Sequence, residues 1–524
     1  MDATSSSIVT RTRFQEEPCL DGRHIVEPLS FREGTEAGKF VPIITCAAQF
    51  PVELLQTALM TLIDHPEYNS SLILRSETIA EADFMHDPFT QNSSIPEITE
   101  YIPTSNIRRK LLPRRPGRDA PLEQDCTFYT SEDSDSDEKH PSLLILTPRV
   151  PPEGSLPYYH PAVSHLAFRY ITQNDGAEDT KTDHLVIEAI PLDNSPLDLS
   201  SRLYRTCIAL LETVDRYGWG ALTNYRKRVV HDVIISRNEY QDLYLIMRER
   251  HKSLVGTWKE VTDPLKHVYE DVGIATFLML LWKNTYHHNS SSKERSSNSE
   301  DRPWDNWAHP PGGFVDVGCG NGLLTHILIS EGYDGEGFDI RQRSSWSQYP
   351  ESTRKHLHVE PFNPFEPHPH LKPNVFLIGN HADELTPWIP VLAITLPACG
   401  YLSIPCCPWD FDARFERGRV GVLQVPQDDP KSAERQKLID SIGLGVEGQS
   451  TSYAMYRIWL AYLSKACGWK VESEVLRIPS TRNWAVVGRE VVDQVGGRAF
   501  AEEILEAVKE RGVFKARPPE GKSH

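Results

Sequence analysis

Two stretches in the first half of the chain alternate apolar and polar side chains with period two: HLAFRYI (165–171) and HLVIEAIPL (184–192). That spacing predicts half-buried strands. HIVEPL (24–29) and SLLILTP (142–148) read as further short strands, and Leu203 to Val214 as a helix. Residues 1–235 are therefore expected to form an α+β domain. The pattern changes from residue 236. Ser236 to Lys252 reads as a polar helix. Asp263-Pro264 puts an N-capping acid before a proline at the first helical position, and the helix it starts runs to about Lys283 through the apolar run IATFLMLLW.

Beyond residue 314, strand-like and helix-like segments alternate. Strands are expected at 314–318, 335–340, 356–360, 375–379 and 400–405, with helices at 321–331 and 453–467. A β-pair at 470–478 and 484–489 closes the domain. Such alternation implies a mostly parallel sheet covered on both faces, which binds ligands at the carboxyl ends of its strands. This second domain is expected over 236–512, with a low-complexity linker at 287–303 and a tail at 513–524.

A length of 524 residues suits two such domains. The net charge of −18 excludes a globally basic nucleic-acid coat and leaves room for local basic patches. One stands out. IRRKLLPRRPGR (107–118) carries Arg108, Arg109, Lys110, Arg114, Arg115 and Arg118 without an acid, and reads as an arm for RNA phosphates. An acidic, serine-rich run, SEDSDSDE (131–138), follows it. Nine scattered cysteines with one adjacent pair fit free thiols in a reducing compartment. The N-terminus lacks a signal-peptide core, and the longest apolar run, Ile274 to Trp282, is too short to span a bilayer. The expectation is a cytoplasmic protein without membrane anchoring.

The most informative stretch is GGFVDVGCGNGLLTHIL (312–328), a strand, a glycine-rich turn and a helix. Gly318, Gly320 and Gly322 allow a sharp bend and close approach of a ligand, and Asn321 lies within that bend. The nicotinamide fingerprint fails, because Leu323 stands where its third glycine belongs. Asp316, just before the turn, suits the cationic amino-acid end of S-adenosylmethionine and would repel a pyrophosphate. Asp339 ends the next strand, 19 residues after Gly320, where a carboxylate accepts hydrogen bonds from ribose hydroxyls. The combination points to a class I, Rossmann-like, S-adenosylmethionine-dependent methyltransferase domain.

Topology adds further candidates. Glu360 to Asn363 follows the third strand, where adenine is usually met. Asn380-His381-Ala382-Asp383-Glu384 follows the fourth. Asn380 is assigned to the cofactor, and Asp383 and His381 are the candidates for proton acceptor. The alternative to a functional role is that Asp383 or Thr386 caps the next helix. Cys406 and Cys407 end the fifth strand, and His368 and His370 lie in a proline-rich loop. No pair has zinc-site spacing, so the thiols read as inert and no metal is expected. In IPSTRNW (478–484), Arg482 and Asn483 either reach a phosphate or base or simply shape a turn. Arg341, Arg343, Arg414, Arg417 and Arg419 form a candidate basic rim.

Several long strings resemble one known family, the eukaryotic tRNA (uracil-2′-O)-methyltransferases that modify position 44 of serine tRNA. They include RRKLLPRRPGRDAPLEQDC (108–126), LIGNHADELTPWIPVLA (377–393), YLSIPCCPWDFDARF (401–415) and RIPSTRNWAVVGR (477–489). The resemblance implies methyl transfer to a uridine ribose 2′-hydroxyl in tRNA. Many 2′-O-methyltransferases of this fold use a Lys-Asp-Lys-Glu set. Asp383 and Glu490 could stand for the acids, but Pro405-Cys406-Cys407 occupies the place where a lysine is wanted. Lys259, Lys266 and Lys283 are not placed by pattern. A methyltransferase for proteins or small molecules, or a non-catalytic RNA-binding protein of this fold, are the alternatives. The basic arm disfavours the first and the intact acids the second.

Overall fold

The computed structural model describes residues 11–19, 27–34, 38–85, 95–132, 140–151, 154–174, 181–225, 230–286, 302–411, 413–416, 432–443, 451–512 and 514. Residues 24–26 of HIVEPL, most of the acidic run and the linker, Arg417, Arg419 and nearly all of the tail lie outside them. The chain divides into two compact units, 1–226 and 227–524.

Among the described residues, the first unit is one eight-stranded antiparallel sheet with two α-helices. Its strands are β1 (Glu17–Pro18), β2 (Val41–Ala47), β3 (Ile73–Asp83), β4 (Tyr101–Pro113), β5 (Leu122–Ser131), β6 (Leu143–Arg149), β7 (Val163–Asn174) and β8 (Lys181–Pro191). They pair in the order β1-β2-β8-β7-β6-β5-β4-β3. Helices α1 (Leu55–Asp64) and α2 (Arg202–Leu222) bury Leu59, Leu62, Cys207, Leu211 and Val214 against sheet residues such as Phe128, Leu144 and Ile187. Helix α2 runs past Val214, the end expected from its pattern. It continues because Tyr217 and Gly218 still pack, Gly218 lying so close to Phe50 that a Cβ would meet the ring at 2.1 Å.

The second unit opens with α3 (Arg237–His251) and α4 (Pro264–Thr285). Ser236 and Asp263 cap them, accepting from the backbone N–H groups of Glu239 and Leu265. Next come β9 (Phe314–Val317), α5 (Leu323–Ser330), β10 (Gly335–Asp339), the single turn α6 (Glu351–Arg354), β11 (Leu357–Val359) and β12 (Phe376–Asn380). Then follow α7 (Trp388–Thr395), β13 (Gly400–Ile404), α8 (Ala433–Ser441), α9 (Ser452–Ala466), β14 (Glu472–Val475), β15 (Trp484–Gly488) and α10 (Gln494–Arg511). The sheet order is β11-β10-β9-β12-β13-β15-β14. Strands β9 to β13 are parallel, and β15 runs against β13 and β14.

Period-two alternation splits the core. Phe314, Phe376, Ile378, Leu402 and Val487 pack with α3, α4 and α5 on one face. Val315, Val317, Leu377 and Val486 pack with α7, α9 and α10 on the other. Residues 230–235, placed by pattern with the first domain, belong to the second unit. Buried Glu474 accepts the N–H groups of Asp232, Val233 and Ile234 at 2.8, 2.7 and 2.9 Å, which fastens that segment to β14.

Glu331, at the end of α5, has a fully buried carboxylate between Arg250 (3.0 Å), His251 (2.8 Å) and Arg302 (3.5 Å). Burial alone would raise its pKa. The His251 and Arg250 contacts outweigh burial and hold it below the usual 4.5. Its stabilising contribution is therefore complete above about 4.5 and is lost as pH falls through the lower folded-state value. Glu331→Gln is expected to cost about 3 kcal/mol at neutral pH in urea denaturation, and to remove that acid-sensitive component.

Candidate functional site

The carboxyl ends of β9, β10, β12 and β13 converge with the first half of α4. Between β9 and α5, Gly318, Gly320 and Gly322 all have positive φ (73°, 53° and 70°), so the backbone takes a path that favours glycine. A Cβ on Gly320 would meet nothing within 4 Å, so the turn is open on that side. Its other side is pinned: Trp346 Nε1 donates to the Gly320 carbonyl (2.9 Å), and Tyr349 Oη to the Asn321 carbonyl (3.1 Å). Asn321 Oδ1 accepts from Leu323 N at 2.9 Å, so this side chain satisfies the first backbone N–H of α5.

Asp316 is buried beneath the turn. Its Oδ2 accepts from Thr325 Oγ1 (2.9 Å), while its Oδ1 is buried with no hydrogen-bond partner. Burial, helped by nearby Asp339 and opposed by the Thr325 hydrogen bond, pushes its pKa from 3.8 up to about 7. Asp339 takes the N–H groups of Gly320 and Arg341 on its two oxygens, both at 3.0 Å, which fixes its carboxylate beside the turn. Both acids thus lie where the sequence put them. Asn363 instead holds its own turn, accepting from Phe365 N at 3.1 Å.

Across the turn, Asn380 Nδ2 donates to Asp271 Oδ1 (3.3 Å), and Asn380 Oδ1 is buried without a partner. His381 Nε2 lies 3.2 Å from Glu270 Oε1. An imidazole donating there leaves Nδ1 as the acceptor, and Nδ1 makes no hydrogen bond. His381 and Asp383 both have positive φ (52° and 44°), uncommon for residues with side chains and frequent where function holds the backbone. Asp383 Oδ1 accepts the Cys406 thiol at 3.0 Å. Burial first, then Asp383, raises that thiol's pKa, which keeps it protonated as the donor. Asp383, Cys406 and Cys407 gather their ligand atoms within 4.8 Å, a grouping that could hold a metal and that spacing did not reveal.

Glu270 and Asp271 were missed. Burial pushes Asp271 well above the carboxylate range, with Glu270 and Asp316 adding to it. Burial also opposes ionisation of Glu270, but His381 foremost, with Ser480 and His267, more than compensates and its pKa is lowered. Two adjacent acids just ahead of the apolar run IATFLMLLW in α4 were the available signal, since buried charges are rarely idle.

Other expectations separate. Glu490 does not reach this end: β15 is antiparallel, with Gly488 opposite Tyr401 at the start of β13, and Glu490 pairs with Lys470 at 2.7 Å. Lys283 pairs with Glu239, and Lys259 reaches Ser347. Arg482 stacks on Tyr453 at 3.9 Å, and Tyr453 Oη donates to the Pro405 carbonyl, so Arg482 lies beside the end of β13. Asn483 Nδ2 donates to Leu476 O, a turn role. The basic arm is not one surface. Arg108, Arg109 and Lys110 lie in β4. Arg109 is buried, its guanidinium donating to Gln124 and the Ile63 carbonyl, which removes it from phosphate contact. Arg108 pairs with Asp125 at 3.1 Å. Arg114, Arg115 and Arg118 are exposed in the β4–β5 hairpin.

A family model described as "TRM44-like, N-terminal bet v1-like domain" matches residues 16–228. One described as "Predicted AdoMet-dependent methyltransferase" matches 234–297 and 304–364. The tRNA (uracil-O(2)-)-methyltransferase of Schizosaccharomyces pombe is 35% identical over 480 residues, covering 86% of this chain and 84% of that protein. The chain belongs to the tRNA (uracil-O(2)-)-methyltransferase family. Proteins of that name from Neurospora crassa (32% identical; 89% of this chain, 92% of that one) and Saccharomyces cerevisiae (29%; 83% and 84%) match as fully.

The cofactor of this methyltransferase is S-adenosylmethionine. The site fits it. Orphaned acceptor atoms on Asp316 and Asn380, and an acid surplus with Asp271, call for a cationic ligand rich in donors. No helix among the described residues is long and apolar enough to cross a membrane. Trp346→Phe removes the donor that pins Gly320. We expect about fivefold weaker cofactor binding by calorimetry, the worth of about 1 kcal/mol, with faster amide exchange at Gly320 to Gly322.

Proposed function

We propose that this family member transfers the methyl group of S-adenosylmethionine to the ribose 2′-hydroxyl of a uridine in tRNA, using the carboxyl ends of β9 to β13. The observation that carries the reading is the pair of unmatched, buried acceptors, Asp316 Oδ1 and Asn380 Oδ1, at the mouth of a glycine turn. The topology of five parallel strands followed by an antiparallel β15 supports a class I, Rossmann-like domain. Position 44 of serine tRNA and a cytoplasmic location belong to the same reading, through the strings 377–393, 401–415 and 477–489 and the nine free thiols.

In this scheme Asp316 holds the cofactor's ammonium, Asp339 its ribose hydroxyls, and the turn Gly318–Gly322 its amino-acid end. Asn380 faces the cofactor, Asn321 keeps the turn in shape and Asn363 shapes the adenine side. The cofactor supplies an activated methyl, so the protein's task is alignment and proton removal. His381 Nδ1 accepts the 2′-hydroxyl proton, and Glu270 orients the ring and stabilises the imidazolium that forms. Asp383 holds the Cys406 thiol and keeps the ends of β12 and β13 together. Arg482 serves the RNA backbone near the site.

Labelled methyl transfer to bulk tRNA, followed by nucleoside analysis, tests the activity. The product expected is 2′-O-methyluridine. His381→Ala should lower the single-turnover rate by about 100-fold or more while cofactor binding persists. A base-methylated product, or an unaffected rate, contradicts the scheme. The exposed part of the arm gives a separate expectation. Arg114→Ala with Arg115→Ala should weaken tRNA binding and reduce the slope of log affinity against log salt by about 1 to 2.

A further inference from the structure

The loop 363–373 and the outer edge of the second sheet carry a side-chain cluster that methyl transfer does not use. Two His-x-His pairs meet there: His356 just before β11 with His358 in it, and His368 with His370 on the loop. In a strand, residues two apart share a face, so Glu336 and Phe338 lie on the same side of β10, and Glu336 reaches both His356 and His358. Phe338 pairs in register with His358, which aligns the two sets.

The geometry is compact. Glu336 reaches His358 Nε2 at 2.8 Å and His356 Nδ1 at 3.2 Å. The rings of His358 and His370 stack with centroids 3.9 Å apart. Ligand atoms from Glu336, His358 and His370 all lie within 4.8 Å of one another. Glu360 stands 3.4 Å from His368 Nε2 and 3.5 Å from His370 Nε2, yet both of those buried nitrogens make no hydrogen bond. The His368 side chain is only 6% exposed. Burial leaves Nε2 of both His368 and His370 unsatisfied, a cost that a metal bound at His370 removes for that ring.

We propose that Glu336, His358 and His370 form a divalent transition-metal site of the zinc class, with Glu360, His356 and His368 as the surrounding shell. Imidazole nitrogens with one or two carboxylates are the donor set that zinc takes, and carboxylate partners of ligating histidines fix their orientation. A cavity of about 380 Å³, bordered by Gly335, Glu336, His356, His370 and Lys372, gives access from solvent. It opens at the starts of β9 and β10, away from the glycine turn. The metal therefore acts structurally. It ties β10, which ends in Asp339, to the loop that begins at Asn363. A hydrogen bond from Glu360 N to the Asp339 carbonyl (3.0 Å) connects the cluster to the ribose acid. Sequence spacing argued against zinc because it looked for close Cys or His pairs in one segment. Here the two pairs come from different segments.

The test uses the full chain, stripped with chelator, reloaded with zinc, desalted and assayed for metal content. One equivalent is expected. His358→Asn with His370→Asn should lose it, with affinity down more than about tenfold in competition with a chromophoric chelator. Cys406→Ser with Cys407→Ser, which alters the second possible cluster, should keep it. Cobalt substitution of the wild type should give d–d bands without thiolate charge transfer, a readout independent of how any variant folds. Failure of the wild type to retain zinc, wild-type retention by the histidine variant, or a thiolate band with loss in the cysteine variant would each overturn the proposal.

Discussion

A carboxylate sealed inside a parallel sheet with one oxygen unsatisfied is costly to maintain, and Asp316 is that group. Thr325 satisfies Oδ2, and the fold offers nothing to Oδ1. Burial and the neighbouring Asp339 drive its pKa up to about 7. A fold that only needed stability would place an apolar residue on that strand, as it does at Val315 and Val317. The acid makes sense where a cation completes it. The rest of the site follows from that need: a turn without side chains that admits the ligand, a second carboxylate held by backbone N–H groups, and Asn380 and Asp271 opposite.

Helix α4 joins the architecture to the chemistry. It lies antiparallel to the central strands, with Trp282 packed on Phe314 and Phe376 at their starts. Glu270 and Asp271 are thereby carried to the strand ends, beside His381 and Asn380. The same helix both builds the core and orients His381, the proposed proton acceptor. The positive φ at His381 and Asp383 shows local backbone strain at the same place, held by His381 N donating to Ile404 O and by the Cys406 thiol on Asp383. The departure from a lysine-based set is thus consistent with a histidine backed by a carboxylate.

The second sheet was legible because burial on both faces produces long apolar runs, and because the glycine turn has few physical alternatives. For that reason the sequence positions of Asp316, Asp339 and the turn at the ends of β9 and β10 match the structure. Asn321 and Asn363 were legible as neighbours of the turn and the third strand, but not in role, since short polar side chains bond their own backbone as readily as a ligand. Glu270 and Asp271 come from a distant segment, and no local pattern says which face of α4 meets β12. The arm 107–118 misled because charge was counted without asking whether it lay in a strand. Alternation in β4 buries Arg109 and leaves only the hairpin residues exposed. Glu490 misled because the reversal of β15 is invisible in a β-pair read from sequence.

Calorimetric titration of S-adenosylmethionine into the protein as a function of pH reads the central claim most directly. If the ligand's ammonium completes Asp316, binding requires the ionised carboxylate. Affinity should then fall as pH drops through about 7, by up to about tenfold per unit, and Asp316→Asn should bind weakly without that acid limb. Affinity that stays level from pH 8 to 5, or an Asn variant that binds like the wild type, would contradict the account.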